Sequence, residues 1–407
     1  MIRCAGKAVL FFWSVLAAQT FTQRGFIDTQ LWLYPETAPN DSGSAVDGML
    51  LRYEPSWRPV SWLKLNASFD ARVDTHDEVD RSLRLDWRDR TVERSALSVR
   101  RLSAIVTKGK LTAEFGKQFI RWGKADILNP TDRFAPKDFL NVVDTEIFAV
   151  TAARLTYDTG TDSFDIVWQP LFTPGRTPLI NQRWTVLPAG AAGVQFDDLG
   201  AQYPGRSAFG ARWNHTGSGY ELSLSYYDGF NNLPLFNSAF APPACVSIER
   251  VYPPLRFYGA DAAVPMRWFT FKTEEGYYTS PDRQEDEYLI YVLQLERQVH
   301  EWTFVGGYAG EVLTSHSATF QFSPERGFAR AFLGRAFYQI DPNRSVSVDA
   351  AVRQNGRGSL VRAEYSQVFG QHWRGVVGFA WLRGDEGDFL GQFHRNSHAI
   401  LGLRYSF

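Results

Sequence analysis

Ionisable residues recur at every second position of short alternating segments: Lys64, Asp70, Arg72, Glu114, Arg154, Asp165, Arg212, Asp261, Lys272, Asp349, Arg353, Arg362, Glu364 and Arg404. The chemistry open to such a set is electrostatic. Groups of both signs facing one aqueous space would orient hydrophilic or zwitterionic solutes, or brace neighbouring strands as ion pairs, whereas rings of one sign would set ion selectivity. Both uses remain open on the sequence. Covalent chemistry finds less support. The seven histidines, at 76, 215, 300, 316, 372, 394 and 398, come without a local Ser or acid pattern that would make one a general base, and no enzyme is expected. His398 is expected to face inward beside Arg404 and Ser406 as solvated lining. There is no His/Cys cluster and no Asp-rich calcium loop, so neither a metal nor another cofactor is expected.

Strands must carry those residues. Between residues 61 and 73, Leu63, Leu65, Ala67, Phe69, Ala71 and Val73 alternate with Lys64, Asn66, Ser68, Asp70 and Arg72. Similar alternation marks 26–36, 47–57, 95–107, 110–121, 150–158, 162–170, 207–216, 219–228, 255–264, 268–276, 287–297, 301–312, 327–338, 344–354, 358–368, 373–383 and 398–407. Most of these have the roughly 9–11 residues of a tilted bilayer-crossing strand, with one face too charged for a dry core. Register is disturbed in two places. Lys117 and Arg121 fall on the apolar parity of 110–121, where a bulge could switch faces, and Arg330 and Arg335 fall on opposite parities of 327–338. The final strand alternates Ala399, Leu401, Leu403, Tyr405 and Phe407 against polar or small residues. Tyr405 and Phe407 are candidate insertion-signal residues for a barrel-insertion machinery.

Connections sort by parity. Short turns at 58–60, 108–109, 159–161, 217–218, 341–343 and 370–372 alternate with stretches near 74–94, 122–149, 171–206, 229–254, 277–286, 313–326 and 384–397, and only 355–357 breaks the order. The fold class expected is therefore all-β: a transmembrane antiparallel up-and-down β-barrel of about eighteen strands over residues 25–407, in the bacterial outer membrane. Arg3, Lys7, the apolar run Ala8–Leu16 and Ala17–Ala18 read as a cleaved signal peptide over 1–18. Loss of that leader takes two of 43 basic residues against 44 acidic ones, a near-neutral balance with no case for nucleic acid. Cys245 would then be the sole cysteine, which excludes an internal disulfide.

The most distinctive stretch is Gly116-Lys-Gln-Phe-Ile-Arg-Trp-Gly-Lys-Ala-Asp-Ile-Leu-Asn-Pro-Thr-Asp132, where Asn129-Pro130-Thr131-Asp132 is a strong turn signal. Residues 122–149 are expected to fold inward and constrict a pore, with Arg121, Lys124, Asp126, Asp132, Arg133, Lys137 and Asp138 among the polar contacts. An ordinary surface loop held by ion pairs is the competing reading. With the strands at 151–157 and 164–170, the stretch resembles an uncharacterised family of bacterial outer-membrane porin-like proteins. The motif covers about 55 residues, and the loop from Leu171 to Arg176 aligns with no motif. The resemblance implies a channel or transport protein of about eighteen strands and brings no established substrate; the function expected is passive, selective passage of small hydrophilic solutes, with the lipid bilayer and a small-molecule solute as partners. Polymer export is one alternative, and a closed barrel whose surface loops act in adhesion or assembly is another.

Overall fold

The computed structural model describes residues 20–186, 194–241, 245–319 and 321–407, so the expected leader lies outside the described residues. Alternation over short segments leaves backbone groups that only lateral pairing satisfies, and every such segment pairs. The barrel strands are β1 (Thr20–Leu33), β2 (Ala45–Val60), β3 (Leu63–Asp74), β4 (Arg94–Lys108), β5 (Leu111–Gln118), β6 (Val150–Asp158), β7 (Asp162–Gln169), β8 (Ala208–Gly217), β9 (Tyr220–Phe230), β10 (Pro254–Pro265), β11 (Thr270–Thr279), β12 (Glu287–Val299), β13 (Trp302–Ser315), β14 (Ala331–Asp341), β15 (Arg344–Arg353), β16 (Gly358–Phe369), β17 (Trp373–Gly384) and β18 (His398–Ser406). Each runs antiparallel to the next, and β18 returns to β1 from Phe26↔Ser406 to Leu33↔Ala399. The sheet closes as an eighteen-stranded barrel with no free edge, the condition for strands to cross a bilayer.

The two faces separate by parity. On β7, Phe164, Ile166 and Trp168 are 46%, 57% and 45% exposed, while Asp165, Val167 and Gln169 between them are 7%, 0% and 4%. The exposed set faces outward as an apolar band, and Trp57, Trp62, Tyr157, Tyr220, Trp268, Trp302 and Trp373 form an exposed aromatic belt at the short-turn end.

Several boundaries differ from the sequence pattern. β1 begins at Thr20, ahead of residue 25, because Thr20–Arg24 pair with Arg58–Glu54 although their own alternation is weak. β5 ends at Gln118 without a register shift, and Lys117 is buried on Asp89 at 2.5 Å, so no bulge is needed there. β14 begins at Ala331, after a helical turn over Pro324–Gly327, so Arg330 lies outside the strand and the parity conflict disappears. A bulge does occur where no signal predicted it: β3 pairs Ser68↔Arg101 and then Phe69↔Val99, which leaves Arg100 over and turns it into the lumen. The 354–357 connection is short yet lies at the same end as the long loops, so the end of the barrel, rather than loop length, follows parity.

The long loops build structure of their own. Val79–Asp86 runs parallel to the start of β4, and Gln195–Gln202, Leu235–Ala241 and Cys245–Val251 form a separate three-stranded sheet. Lys137–Asp138 pairs with Glu146–Ile147 inside the barrel.

Candidate functional site

The loop between β5 and β6 folds inward. Trp122-Gly123 and the Asn-Pro-Thr-Asp turn are drawn together by Asp132, whose Oδ1 accepts the N–H groups of Trp122 at 2.6 Å and Gly123 at 2.7 Å. Gly123 is required there, since a Cβ would lie 2.6 Å from that of Asn129. The closed turn docks on the far wall through Glu274 of β11. Its carboxylate accepts the N–H of Lys124 at 2.8 Å, of Ala125 at 2.9 Å and of Thr131 at 2.9 Å, and the Thr131 hydroxyl at 2.8 Å. Tyr278 donates to the carbonyl of Pro130 at 2.8 Å. Phe134 packs edge-on against Trp122 and Tyr227, with centroids 5.2 and 5.1 Å away.

From that wall the loop crosses the lumen. Arg133 and Lys137 share Glu325, at 2.9 and 3.2 Å. Asp138 meets Arg94 at 2.9 Å and Arg176 at 2.6 Å. The Val143 carbonyl takes a hydrogen bond from Arg362 of β16 at 2.7 Å. Glu146 ends the crossing on Arg52 of β2 at 2.7 Å, Arg72 of β3 at 2.5 Å and Arg100 of β4 at 3.3 Å. Two cavities flank it: one of 330 Å³ along β1–β3 and β18, and one of 260 Å³ along β14–β16. Asp144 and Thr145 line both.

Burial works against the ionised form of Asp138, and the guanidiniums of Arg94 and Arg176 overcome it, holding the carboxyl at about 2. In the outer loop, burial pushes Glu285 up to about 7 against the hydrogen bond from Asn231, and nearby Asp282 and Asp286 push the same way.

The strand-borne residues singled out by alternation lie on the inward parity, and nearly all are paired. Asp70 takes both nitrogens of Arg52, at 2.7 and 2.8 Å, and Arg72 at 3.0 Å. Glu114 meets Arg101 at 2.9 Å, Asp165 meets Arg154 at 3.0 Å, and Arg212 meets Asp261 at 2.7 Å. Lys272 bridges Asp126 at 3.0 Å and Glu296 at 2.7 Å. Asp349 lies between Arg335 at 2.5 Å and Arg362 at 3.5 Å. Arg353 reaches Asp388 at 3.2 Å and the carbonyls of Gly327 and Ala329, so it ties outer loops together. Glu364 faces Arg374 at 3.8 Å, Arg404 meets Asp28 at 3.1 Å, and Lys64 lines a cleft with Glu54 and Arg101 near the short turns. Among the loop residues, Arg121 stays half exposed and meets Asp132 at 3.1 Å, while Lys124 reaches Glu221 at 2.8 Å. Tyr405 packs on Trp373, and the Phe407 carbonyl accepts the N–H of Gly25 at 2.9 Å.

His398 differs from its expected solvated position. It is 1% exposed, packed on Tyr34 and Trp184, with Nδ1 2.8 Å from the carbonyl of Asn396. The cause is a second loop, Leu171 to Trp184, which also enters the barrel and brings Arg176 to Asp138 and Arg183 to Asp41. Sequence reading missed Glu274, Glu146, Arg52 and Arg176. Glu274 shares the parity of Lys272 and Arg52 that of Asp70, a usable signal, whereas Glu146 and Arg176 sit on loops where no period points to them. Among the described residues no group of three or more His, Cys, Asp or Glu could hold a metal ion.

Among solved structures, the chain is similar to OccAB4 of Acinetobacter baumannii, at 11% identity over 96% of this chain and 99% of that one, with a TM-score of 0.56. It is similar to a BenF-like porin from Pseudomonas fluorescens Pf-5 at 8% identity over 95% and 98%, TM-score 0.55. OpdK of Pseudomonas aeruginosa, solved with vanillate, matches at 10% identity over 95% and 98%, TM-score 0.51. The chain has the fold of outer-membrane porins. No protein-family model and no curated protein matches the sequence, so the likeness supports the porin-like architecture and gives no support to the specific motif of residues 116–132. The porin fold, its apolar outer band and its aromatic belt make this a transmembrane barrel of the bacterial outer membrane.

Proposed function

We propose that the protein is a porin-like channel for passive, selective passage of small hydrophilic solutes, and that the inward strand residues and the 122–149 loop form its selectivity region. The observation that carries this reading is the loop crossing from Glu274 to the Arg52–Arg72–Arg100 group, with cavities of 330 and 260 Å³ on its two sides, each lined by charged as well as apolar side chains. An eighteen-stranded barrel is wide enough for an aqueous lumen, and a crossing loop cuts that lumen to the scale of single small solutes. OpdK, solved with vanillate, is a neighbour in fold that was crystallised with one such small molecule. The crossing also argues against polymer export, which needs an unobstructed bore. Tyr405 and Phe407 serve this reading as the insertion signal. Liposome swelling tests it: proteoliposomes should swell in glycine, alanine and small sugars and fail to swell in oligosaccharides. Absence of swelling in every solute, despite verified insertion, would contradict the proposal and favour a closed barrel acting through its surface loops.

A further inference from the structure

Resting on the channel reading, we infer that Asp144 is the specificity-determining residue of the lumen and draws the ammonium end of small solutes through the constriction. Asp144 sits at the tip of the crossing, exposed to both cavities, together with Thr145. Its position is fixed from three directions. Asn141 Oδ1 accepts the N–H groups of Val143 and Asp144, both at 3.1 Å, the Val143 carbonyl is held by Arg362, and Glu146 is clamped two residues later by Arg52 and Arg72. The backbone is thus tied to β16 on one side and to β2 and β3 on the other side of a carboxylate that itself makes no ion pair among the described residues.

The surrounding cations are already engaged. Arg362 is shared between Asp349 and the Val143 carbonyl, Arg404 with Asp28, Arg94 with Asp138 and Glu78, and Arg72 with Asp70 and Glu146. Carboxylates also outnumber guanidiniums five to four along the 330 Å³ cavity, so its balance is negative. A fixed carboxylate in a narrow, low-dielectric passage is screened less than one on an open surface, so a single group there can set the sign of the preferred ion. Ammonium-bearing solutes, amino acids and amines among them, fit this arrangement. The other carboxylates of the crossing, Asp138 and Glu146, are committed to arginines and cannot substitute.

The test is the reversal potential of single channels in a potassium chloride gradient for the native chain, Asp144→Asn and Asp144→Lys, with relative swelling rates in L-lysine and L-glutamate. The native channel should prefer potassium, Asp144→Asn should lower the potassium-to-chloride permeability ratio by about threefold or more, and Asp144→Lys should invert it, with lysine and glutamate rates following. Conducting channels whose ratio is unchanged in both variants overturn this inference and leave the channel reading standing. Silent membranes from all three proteins overturn the channel reading and the inference with it.

Discussion

Glu274 and Thr131, on opposite sides of 143 residues of chain, meet through two hydrogen bonds to one oxygen: Glu274 Oε1 accepts the Thr131 N–H at 2.9 Å and its hydroxyl at 2.8 Å. The second oxygen takes the N–H groups of Lys124 and Ala125, so one fully buried wall carboxylate gathers both ends of the turn. Charge-assisted bonds of this kind are worth about 1.5–3 kcal/mol each, and donors left without a partner cost about 1–3 kcal/mol. Glu274→Ala should therefore release the turn while the barrel persists. Limited proteolysis should cut within 124–134 in the variant and spare the native chain; equal resistance in both would contradict the tether.

Asp138 is the second tether and gives an acid limit. Asp138→Asn leaves Arg94 and Arg176 buried against a neutral amide, a loss of about 3–5 kcal/mol for breaking a buried pair. Because its folded carboxyl is held down at about 2, its contribution is present above the ordinary carboxylate range and lost as pH falls through about 2. Thermal unfolding followed by gel mobility should show the native midpoint steady above the ordinary carboxylate range and falling progressively as pH drops from there toward about 2, with Asp138→Asn lower throughout the steady range. Equal midpoints would count against the tether.

Glu285 works in the opposite direction. Its Oε1 accepts from Asn231 Nδ2 at 3.2 Å, joining the loops after β9 and β11. With its carboxyl raised to about 7, stabilisation is complete below the unfolded carboxyl range and is lost as pH rises from there through about 7. Amide exchange at Asn231, whose N–H bonds the Pro253 carbonyl at 2.9 Å, should be more protected at pH 5.5 than at pH 8 after correction for intrinsic rates. Glu285→Gln should abolish the difference, and a difference that survives would contradict the assignment.

How much of this was legible in the sequence follows from which forces leave a period. The eighteen barrel strands were readable because a lipid-facing side and a wet side impose alternation on each, so that Asp165 and Ile166 betray the fold locally. The turn between β5 and β6 was signalled by Gly123 and Asn129-Pro130, whereas its inward direction was one of two readings the sequence left open, because the wall residue that docks it, Glu274, lies 143 residues from Thr131 in the chain. Arg100 was not legible as a lumen residue, because its bulge is set by pairing with Ser68 and Phe69 on another strand. Arg176 and His398 were hidden for a related reason: a loop entering the barrel buries what alternation alone would leave solvated.

The seam between the first and last strands depends on Gly25. A Cβ there would lie 2.6 Å from Phe407 Cζ and 2.7 Å from the carbonyl oxygen of Arg52. Gly25→Val should cost about 1–3 kcal/mol through overpacking, seen as a lower unfolding temperature of the inserted barrel. An unchanged temperature would mean that Phe407 turns aside freely and contributes little to closure.

Single-channel conductance of the refolded protein in a planar bilayer, before and after deletion of residues 125–148, tests the central claim most directly. The account predicts stable small steps for the native chain and several-fold larger ones after deletion, with Glu274→Ala in between as a variant that keeps the whole chain. Native steps that do not grow in either variant, or membranes that stay silent throughout despite verified insertion, would contradict a channel narrowed by its inward loop.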